Sequence, residues 1–381
     1  LRHPFHFPDQ EKTMSATSHH QQYDPQHDPQ QLRTDFLNAK REKKLRNRDA
    51  AAAIGVSEGE AIAACVGAEA IRLRPQFIEL LEEVPLLGPV MALTRNDSAV
   101  HEKDGVYEKM SHNGQVGLAL GEAIDLRIFY KQWRFACAVI EEVARGAEKT
   151  WQKSLQFYDL HGEAVHKVFL REHSNHDAFD ALVARWSDPE QLPGMAVEPV
   201  PPAAIDKPDA EIDGDGFRAA WKGMTDTHQF FGLLRDFGLS RTQALRLAPP
   251  QFVRQVDNSA TRAILEQAAA GALPIMVFVG NRGMIQIHSG AVSNVKVMGS
   301  WLNILDPGFN LHLREDLIVS SWVVSKPTSD GEVTSLELFD HEGNTIAMLF
   351  GVRKPGQPEL AAWRSAALSL PLAASMAEAH A

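Results

Sequence analysis

Cysteine is almost absent from this chain of 381 residues: there are two, Cys65 and Cys137, far apart and in no CxxC spacing. That excludes a disulfide scaffold and a zinc ribbon, and it suits a reducing compartment. A basic excess is missing too. With 38 Lys and Arg against 49 Asp and Glu, the formal net charge is −11. A dedicated nucleic-acid binder carries the opposite balance, so no nucleic-acid partner is expected. The one basic run, Lys40-Arg41-Glu42-Lys43-Lys44-Leu45-Arg46, reads as a solvated helix face. No apolar run reaches the roughly 18 residues of a spanning helix, so no stable membrane insertion is expected. The N-terminal stretch has neither an apolar h-region nor a small-residue cleavage site, which points to a cytoplasmic protein. Neither GxGxxG nor GxxxxGK[ST] follows a predicted strand, so nucleotide folds are disfavoured.

What the chain does contain is a long internal repeat. Pro89-Val90-Met91 returns as Pro274-Ile275-Met276, a shift of 185 positions. Ser154-Leu155-Gln156-Phe157-Tyr158-Asp159 returns as Ser335-Leu336-Glu337-Leu338-Phe339-Asp340, a shift of 181. Between them, Ile124-Asp125-Leu126-Arg127-Ile128 returns as Phe309-Asn310-Leu311-His312-Leu313. A period this long means two similar domains with a cleft between them, not a solenoid. At 44% hydrophobic residues the chain can bury two medium cores.

Each half reads helices first, then strands. Residues 33–49 are charged and helix-prone, a helix follows from Glu58, and Pro75-Gln76-Phe77 starts a short one through Glu83. From Val90 the period changes to two, with Asn96-Asp97, Asp104-Gly105 and Asn113-Gly114 as turns. Ile124, Leu126 and Ile128 should face one side of a strand and Asp125, Arg127 and Phe129 the other. A helix from Asp177 to Trp186 closes the half. The second half repeats the plan with a helix over 217–237, the turn Gly238-Leu239-Ser240 matching Gly55-Val56-Ser57, a helix from Arg241, and strands from Ile275 to Val352. Pro250-Gln251-Phe252-Val253 is aligned with Pro75-Gln76-Phe77-Ile78. The expected class is α+β, a tandem duplication in which each half combines helices with a large antiparallel sheet. The expected divisions are a disordered tail over 1–30 (His-rich, with Met14 as the expected start), repeats over 31–187 and 215–367, a Pro-rich linker over 188–214, and a C-terminal tail over 368–381.

Subtracting one copy from the other separates function from fold. Phe217, Trp221, Met224, His228 and Phe231 fall at 4, 3, 4 and 3 spacing, which is one helical stripe. His228 therefore stands among aromatic and thioether side chains, and its counterpart is Leu45, so the fold does not require imidazole there. Arg241 likewise replaces Glu58. A core histidine with one satisfied nitrogen is one reading. The other is an axial ligand to an iron porphyrin, which needs imidazole on an apolar face and cations for two carboxylates. Arg241, Arg127 and Lys326 are candidates for those cations; each taken singly also reads as a surface charge. His173-Ser174-Asn175-His176 has HxxH spacing but no third metal ligand nearby.

Four blocks resemble the haemin-degrading factor family, also called the haemin transport protein HemS family: Met224-Thr225-Asp226-Thr227-His228-Gln229-Phe230-Phe231, Met276 to Gly283, Gly299-Ser300-Trp301-Leu302-Asn303-Ile304, and Lys326 to Phe339. The resemblance runs over about residues 31–367 in order. It implies a cytoplasmic haem-binding protein of Gram-negative bacteria, behind a haem ABC importer and ahead of a haem oxygenase or other acceptor. It implies a tandem fold with haem in a cleft between the halves, an axial ligand at His228, and a propionate-side arginine at Arg127. Arg241 and Lys326 match basic residues near the haem. His101 matches a histidine considered as a second ligand, and on the residues alone it also reads as an exposed loop histidine. Phe350-Gly351-Val352-Arg353 stands where some relatives carry Tyr-Gly-Gln-Arg, keeping the ring and Arg353 but not the phenol or the amide.

Three functions follow from this reading. The first is a haem chaperone in iron acquisition. The second is a haem-degrading, oxygenase-like enzyme fed by an external reductant, since the chain has no flavin or nicotinamide motif. The third is a small-molecule or metal-binding structural protein. The expected assembly is a monomer or dimer with one strong haem site.

Overall fold

The computed structural model describes residues 28–145, 148–353 and 356–374. Most of the N-terminal tail, with Met14, and the chain from 375 onward lie outside the described residues. In the first repeat the elements are α1 (Pro29–Lys43), α2 (Asn47–Ala53), α3 (Glu58–Ala64), β1 (Ala70–Leu73), α4 (Phe77–Glu83), β2 (Val90–Arg95), β3 (Ala99–Gly105), β4 (Met110–Asn113), β5 (Val116–Leu120), β6 (Asp125–Phe129), β7 (Phe135–Arg145), β8 (Glu148–Tyr158), β9 (Ala164–Leu170) and α5 (His176–Trp186). The second repeat has α6 (Gly214–Lys222), α7 (Gln229–Phe237), α8 (Arg241–Leu247), β10 (Val253–Val256), α9 (Ala260–Ala270), β11 (Ile275–Gly280), β12 (Met284–Gly290), β13 (Val295–Met298), β14 (Trp301–Asp306), β15 (Phe309–Arg314), β16 (Ser320–Thr328), β17 (Gly331–Phe339), β18 (Thr345–Gly351) and α10 (Ala361–Leu368).

The strands form two nine-stranded antiparallel sheets, ordered β1-β7-β8-β9-β2-β3-β15-β14-β13 and β10-β16-β17-β18-β11-β12-β6-β5-β4. Each sheet thus takes six strands from one repeat and three from the other. The three-stranded meander β4-β5-β6 does not close on its own repeat. Its inner strand β6 pairs with β12, as Arg127 with Ile285, while β15 of the second repeat pairs with β3, as His312 with Val100. The two halves are woven together by backbone hydrogen bonds rather than docked across the linker.

Two asparagines brace the exchange from pseudo-equivalent places. Asn96 Nδ2 donates to Gly280 O at 3.1 Å and Ile346 O at 2.9 Å. Asn281 Nδ2 donates to Arg95 O at 3.0 Å and Val165 O at 2.8 Å. Each asparagine satisfies carbonyls of the other repeat that would otherwise lose water without compensation.

Helices cover both faces of each sheet. In the first sheet α1–α3 pack with Cys137, Val139 and Tyr158, and α4 and α5 with Leu155 and Phe157 on the opposite face. In the second sheet α6–α8 pack with Val324 and Phe339, and α9 and α10 with Val323, Leu336 and Leu338. The repeated turn has a local cause. Gly55 and Gly238 adopt φ of 79° and 66°, a left-handed conformation that favours glycine. Two residues on, Ser57 and Ser240 cap α3 and α8 by accepting from Glu60 N at 3.2 Å and Gln243 N at 3.1 Å.

Three sequence expectations are corrected. The helix-prone stretch 33–49 and the expected helix 217–237 are each broken in two, into α1–α2 and α6–α7. Lys44 leaves α1 in the left-handed conformation, and in the second repeat Thr225 and Asp226 turn their backbone N–H groups to the Gln229 side chain, at 2.8 and 3.3 Å. Local side-chain acceptors compete with the helical ladder there. The alignment of Pro250-Gln251-Phe252-Val253 with Pro75-Gln76-Phe77-Ile78 also fails, since Phe77 opens a helix and Val253 a strand. The counterpart of β10 is β1.

Candidate functional site

The break between α6 and α7 determines where His228 sits. It is the residue before α7, with its side chain about half exposed (48%). Of the expected stripe, Phe217, Trp221 and Met224 are buried, and Phe230 rather than Phe231 completes the cluster. His228 does not lie on that buried stripe, because six residues of turn separate α6 from α7. Asp226 holds it instead. One carboxylate oxygen, Oδ1, accepts the backbone N–H of His228 at 2.8 Å and lies 2.6 Å from its Nδ1. Burial works against ionisation of Asp226, but these bonds and the nearby charges of His228 and Arg353 hold its carboxyl below the usual value. Arg353 therefore belongs to the neighbourhood of His228.

Below α7 lies a buried charge cluster. Arg241, the first residue of α8, donates to Glu337 in bidentate fashion, Nε to Oε2 at 2.7 Å and a terminal nitrogen to Oε1 at 3.0 Å. Lys326 Nζ reaches the same Oε1 at 2.7 Å, and Ser335 Oγ donates to it at 2.9 Å. Glu337 has no accessible surface and Lys326 is 4% exposed, so Lys326 is no surface charge. Burial would push the Glu337 carboxyl up, but Arg241 and Lys326 outweigh it and hold it far below the usual carboxylate range. Burial lowers Lys326 despite Glu337. Both cations also face the Phe230 ring, at 5.0 Å for Arg241 and 4.7 Å for Lys326, and Arg241 lies 5.8 Å from Phe231.

The same face of the second sheet continues beyond these helices. The ladder runs Glu337, Met348, Phe278, Ile287, Asp125 across five strands, with Ser335, Phe350 and Met276 beside it and Ile285, Arg127 and Leu118 further along. Met276, Phe278, Ile285, Met348, Phe350 and Phe129 are all half-buried, whereas the alternate residues Val277, Val279, Leu126 and Ile128 have no accessible surface. The period-two expectation for Ile124 to Phe129 holds. Phe278 and Phe350 meet at 5.0 Å between ring centroids. Arg127 contributes its charge from the exchanged strand β6, where it pairs with Asp125 and donates to Leu126 O at 3.2 Å.

The structure therefore gathers Arg241, Lys326 and Phe231 in one cluster and puts Phe350 and Arg127 on the sheet face running from it. His228 stands at the start of α7 above, and Arg353, just past β18, acts electrostatically on its Asp226. His101 is not among them. It is neither exposed nor in a loop: it lies in β3 with no accessible surface, 5.0 Å from the Phe309 ring, on the face that packs between the two sheets. Among the described residues its two ring nitrogens have no hydrogen-bond partner, and burial drives its pKa down.

Sequence reasoning missed Glu337, Phe230, Met348 and Phe278. The signal was available in the comparison of copies, where Gln156 stands for Glu337 and Lys167 for Met348.

Comparison with known proteins gives the family and the fold. The family model described as the haemin-degrading HemS/ChuX domain matches twice, over residues 55–186 and 238–370. The chain is 41% identical over 321 residues to the hemin transport protein HmuS of Yersinia pestis, covering 83% of this chain and 90% of that protein. Holo-PhuS, a heme-binding protein from Pseudomonas aeruginosa, superposes with a TM-score of 0.87 at 46% identity, covering 91% of this chain and all (100%) of PhuS. ChuS, described as an E. coli heme oxygenase, gives 0.80 at 38% identity, covering 89% and 99% of the two chains.

Proposed function

We propose, for a chain that belongs to the haemin-degrading HemS/ChuX family, that it binds haem in the cytoplasm and carries it from an ABC importer to a haem oxygenase or other acceptor. The observation that carries this reading is the half-exposed apolar sheet face of Met276, Phe278, Ile285, Met348 and Phe350, set beside a histidine and several cations. A flat macrocycle needs a broad apolar surface, one imidazole and positive charge at the edge; this face with His228 of the α6–α7 turn and the nearby cations supports such a role.

The proposed roles follow from chemistry. With Nδ1 donating to Asp226, the neutral ring of His228 carries its lone pair on Nε2, the nitrogen suited to iron. Arg127, Arg241, Lys326 and Arg353 supply positive potential for two propionates. Glu337 offsets one of those charges, leaving Arg241 and Lys326 with a net charge of one. Phe231 and Phe350 add apolar contact. His101, buried between the sheets, is assigned no part in binding.

Titration of the full-length protein with haemin tests the reading. A Soret band should saturate at one equivalent, and His228→Ala should weaken affinity by tenfold or more, about 1.4 kcal/mol. An unchanged spectrum in that variant would sink the axial assignment.

The similarity to ChuS supports a second reading, degradation of haem by this chain. Bound haem would then supply an iron that activates oxygen once an external reductant is present. Incubation with reductant, oxygen and catalase, followed by assay for tetrapyrrole products and chelatable iron, separates the two. Intact haem passing to an added haem oxygenase supports the carrier; freed iron supports the enzyme.

A further inference from the structure

We infer that Asp226 is a positioning residue for the axial ligand: its carboxylate fixes the tautomer and orientation of the His228 ring and strengthens Nε2 as a donor to iron. This rests on the reading of His228 as the ligand. The geometry is specific. A single oxygen, Oδ1, holds both the backbone N–H of His228 at 2.8 Å and Nδ1 at 2.6 Å. The ring is thereby tied to its own backbone, and rotation about its side-chain bonds breaks a charge-assisted hydrogen bond. A histidine that donates its distal nitrogen's proton to a carboxylate becomes a more basic, better oriented ligand.

The fold does not ask for this acid. The counterpart of Asp226 in the first repeat is Lys43, the last residue of α1, and the counterpart of His228 is Leu45. The acid and the imidazole are both present in one copy and both missing from the other. Asp226 anchors the half-exposed His228 from two residues away.

Asp226 also braces the start of α7, so a merely structural role has to be separated. Asp226→Ser keeps a short acceptor for the His228 N–H but removes the carboxylate; Asp226→Asn keeps the size and an amide oxygen. Full-length protein loaded with haemin is reduced, and the iron–histidine stretching frequency is read by resonance Raman, with far-UV circular dichroism to confirm folding. The frequency should fall in Asp226→Ser, fall less in Asp226→Asn, and the haemin off-rate should rise several-fold in the serine variant. Unchanged frequencies in folded Ser and Asn variants, with His228→Ala still losing the wild-type spectrum, overturn the role of Asp226 and leave the haem reading standing. A His228→Ala variant with an unchanged spectrum overturns both.

Discussion

The two repeats share one architecture and present opposite surfaces from it. In the second sheet the ladder reads Glu337, Met348, Phe278, Ile287; in the first the matching ladder reads Gln156, Lys167, Leu93, Glu102. Where Arg241 pairs with Glu337, its counterpart Glu58 pairs with Lys167. The cation has moved from the helix to the sheet, and the anion from the sheet to the helix. Where Ile285, Arg127 and Leu118 line up in one sheet, Val100, His312 and Asn303 line up in the other, and His312 Nδ1 is engaged with Asn303 Oδ1 at 2.7 Å. The first face carries polar groups engaged in pairs, Lys167 with Glu58, Gln156 with Tyr158 and His312 with Asn303. The second leaves aromatic and thioether groups half exposed. Duplication supplied two frames, and the frame with the apolar face is the one carrying His228.

Glu337 is where the contrast should break most violently. Glu337→Leu leaves Arg241 and Lys326 buried without their counter-charge, a loss of about 3–5 kcal/mol by the usual cost of breaking a buried pair. Gln156→Leu in the first repeat removes two neutral bonds, from Tyr158 Oη and to Ser154 Oγ, and should cost about 1–3 kcal/mol. Urea denaturation of the two variants checks this; equal losses would mean that charge coupling is not what separates the copies.

A second test addresses what the repeats share. The packing between them buries His166 and His288, with pKa values pushed to about 3 by burial, and His101, also lowered by burial. Their ordinary value is 6.5, and the folded values lie below it. The unfolded chain therefore takes up protons first, and stability present above pH 6.5 is lost progressively as pH falls toward 3. Each fully coupled histidine should cost about 2 kcal/mol between pH 7 and 5. Thermal melts across that range should show the decline, and His166→Phe should flatten it; a melt independent of pH would refute the role of these histidines.

Met348→Lys gives the second face the charge of the first. Beside Arg241 and without an acid like Glu58, the lysine should reduce haemin affinity about tenfold, near 1.4 kcal/mol. An unaltered affinity would show that this face is not the haem contact. Leu45→His should do least. It restores an imidazole to the first repeat, but above a polar face, so the Soret titration should still saturate at one equivalent.

Much of this was legible beforehand. The repeat, the period-two strands and the Gly-x-Ser turns are local patterns, and the structure repeats them element for element. The half-exposed histidine was not legible. Spacing put His228 on a buried stripe because spacing presumes an unbroken helix, whereas the side chains of Asp226 and Gln229 accept backbone N–H groups and end the ladder. The exposed-loop reading of His101 fails for a related reason: only strand register places it buried in β3.

The amino-acid sequence by itself determined that there are two copies and where they differ chemically, because those are properties of residue identity at aligned positions. Tertiary structure alone decided that β6 and β15 cross to the opposite sheets, bringing Arg127 onto the face with Phe350, and that one glutamate holds two distant cations. Backbone ladders accept any strand with the right alternation, so side-chain pattern is silent about which antiparallel edge a strand will join. Burial then makes the resulting charge contacts matter, since an unpaired charge has no water to return to.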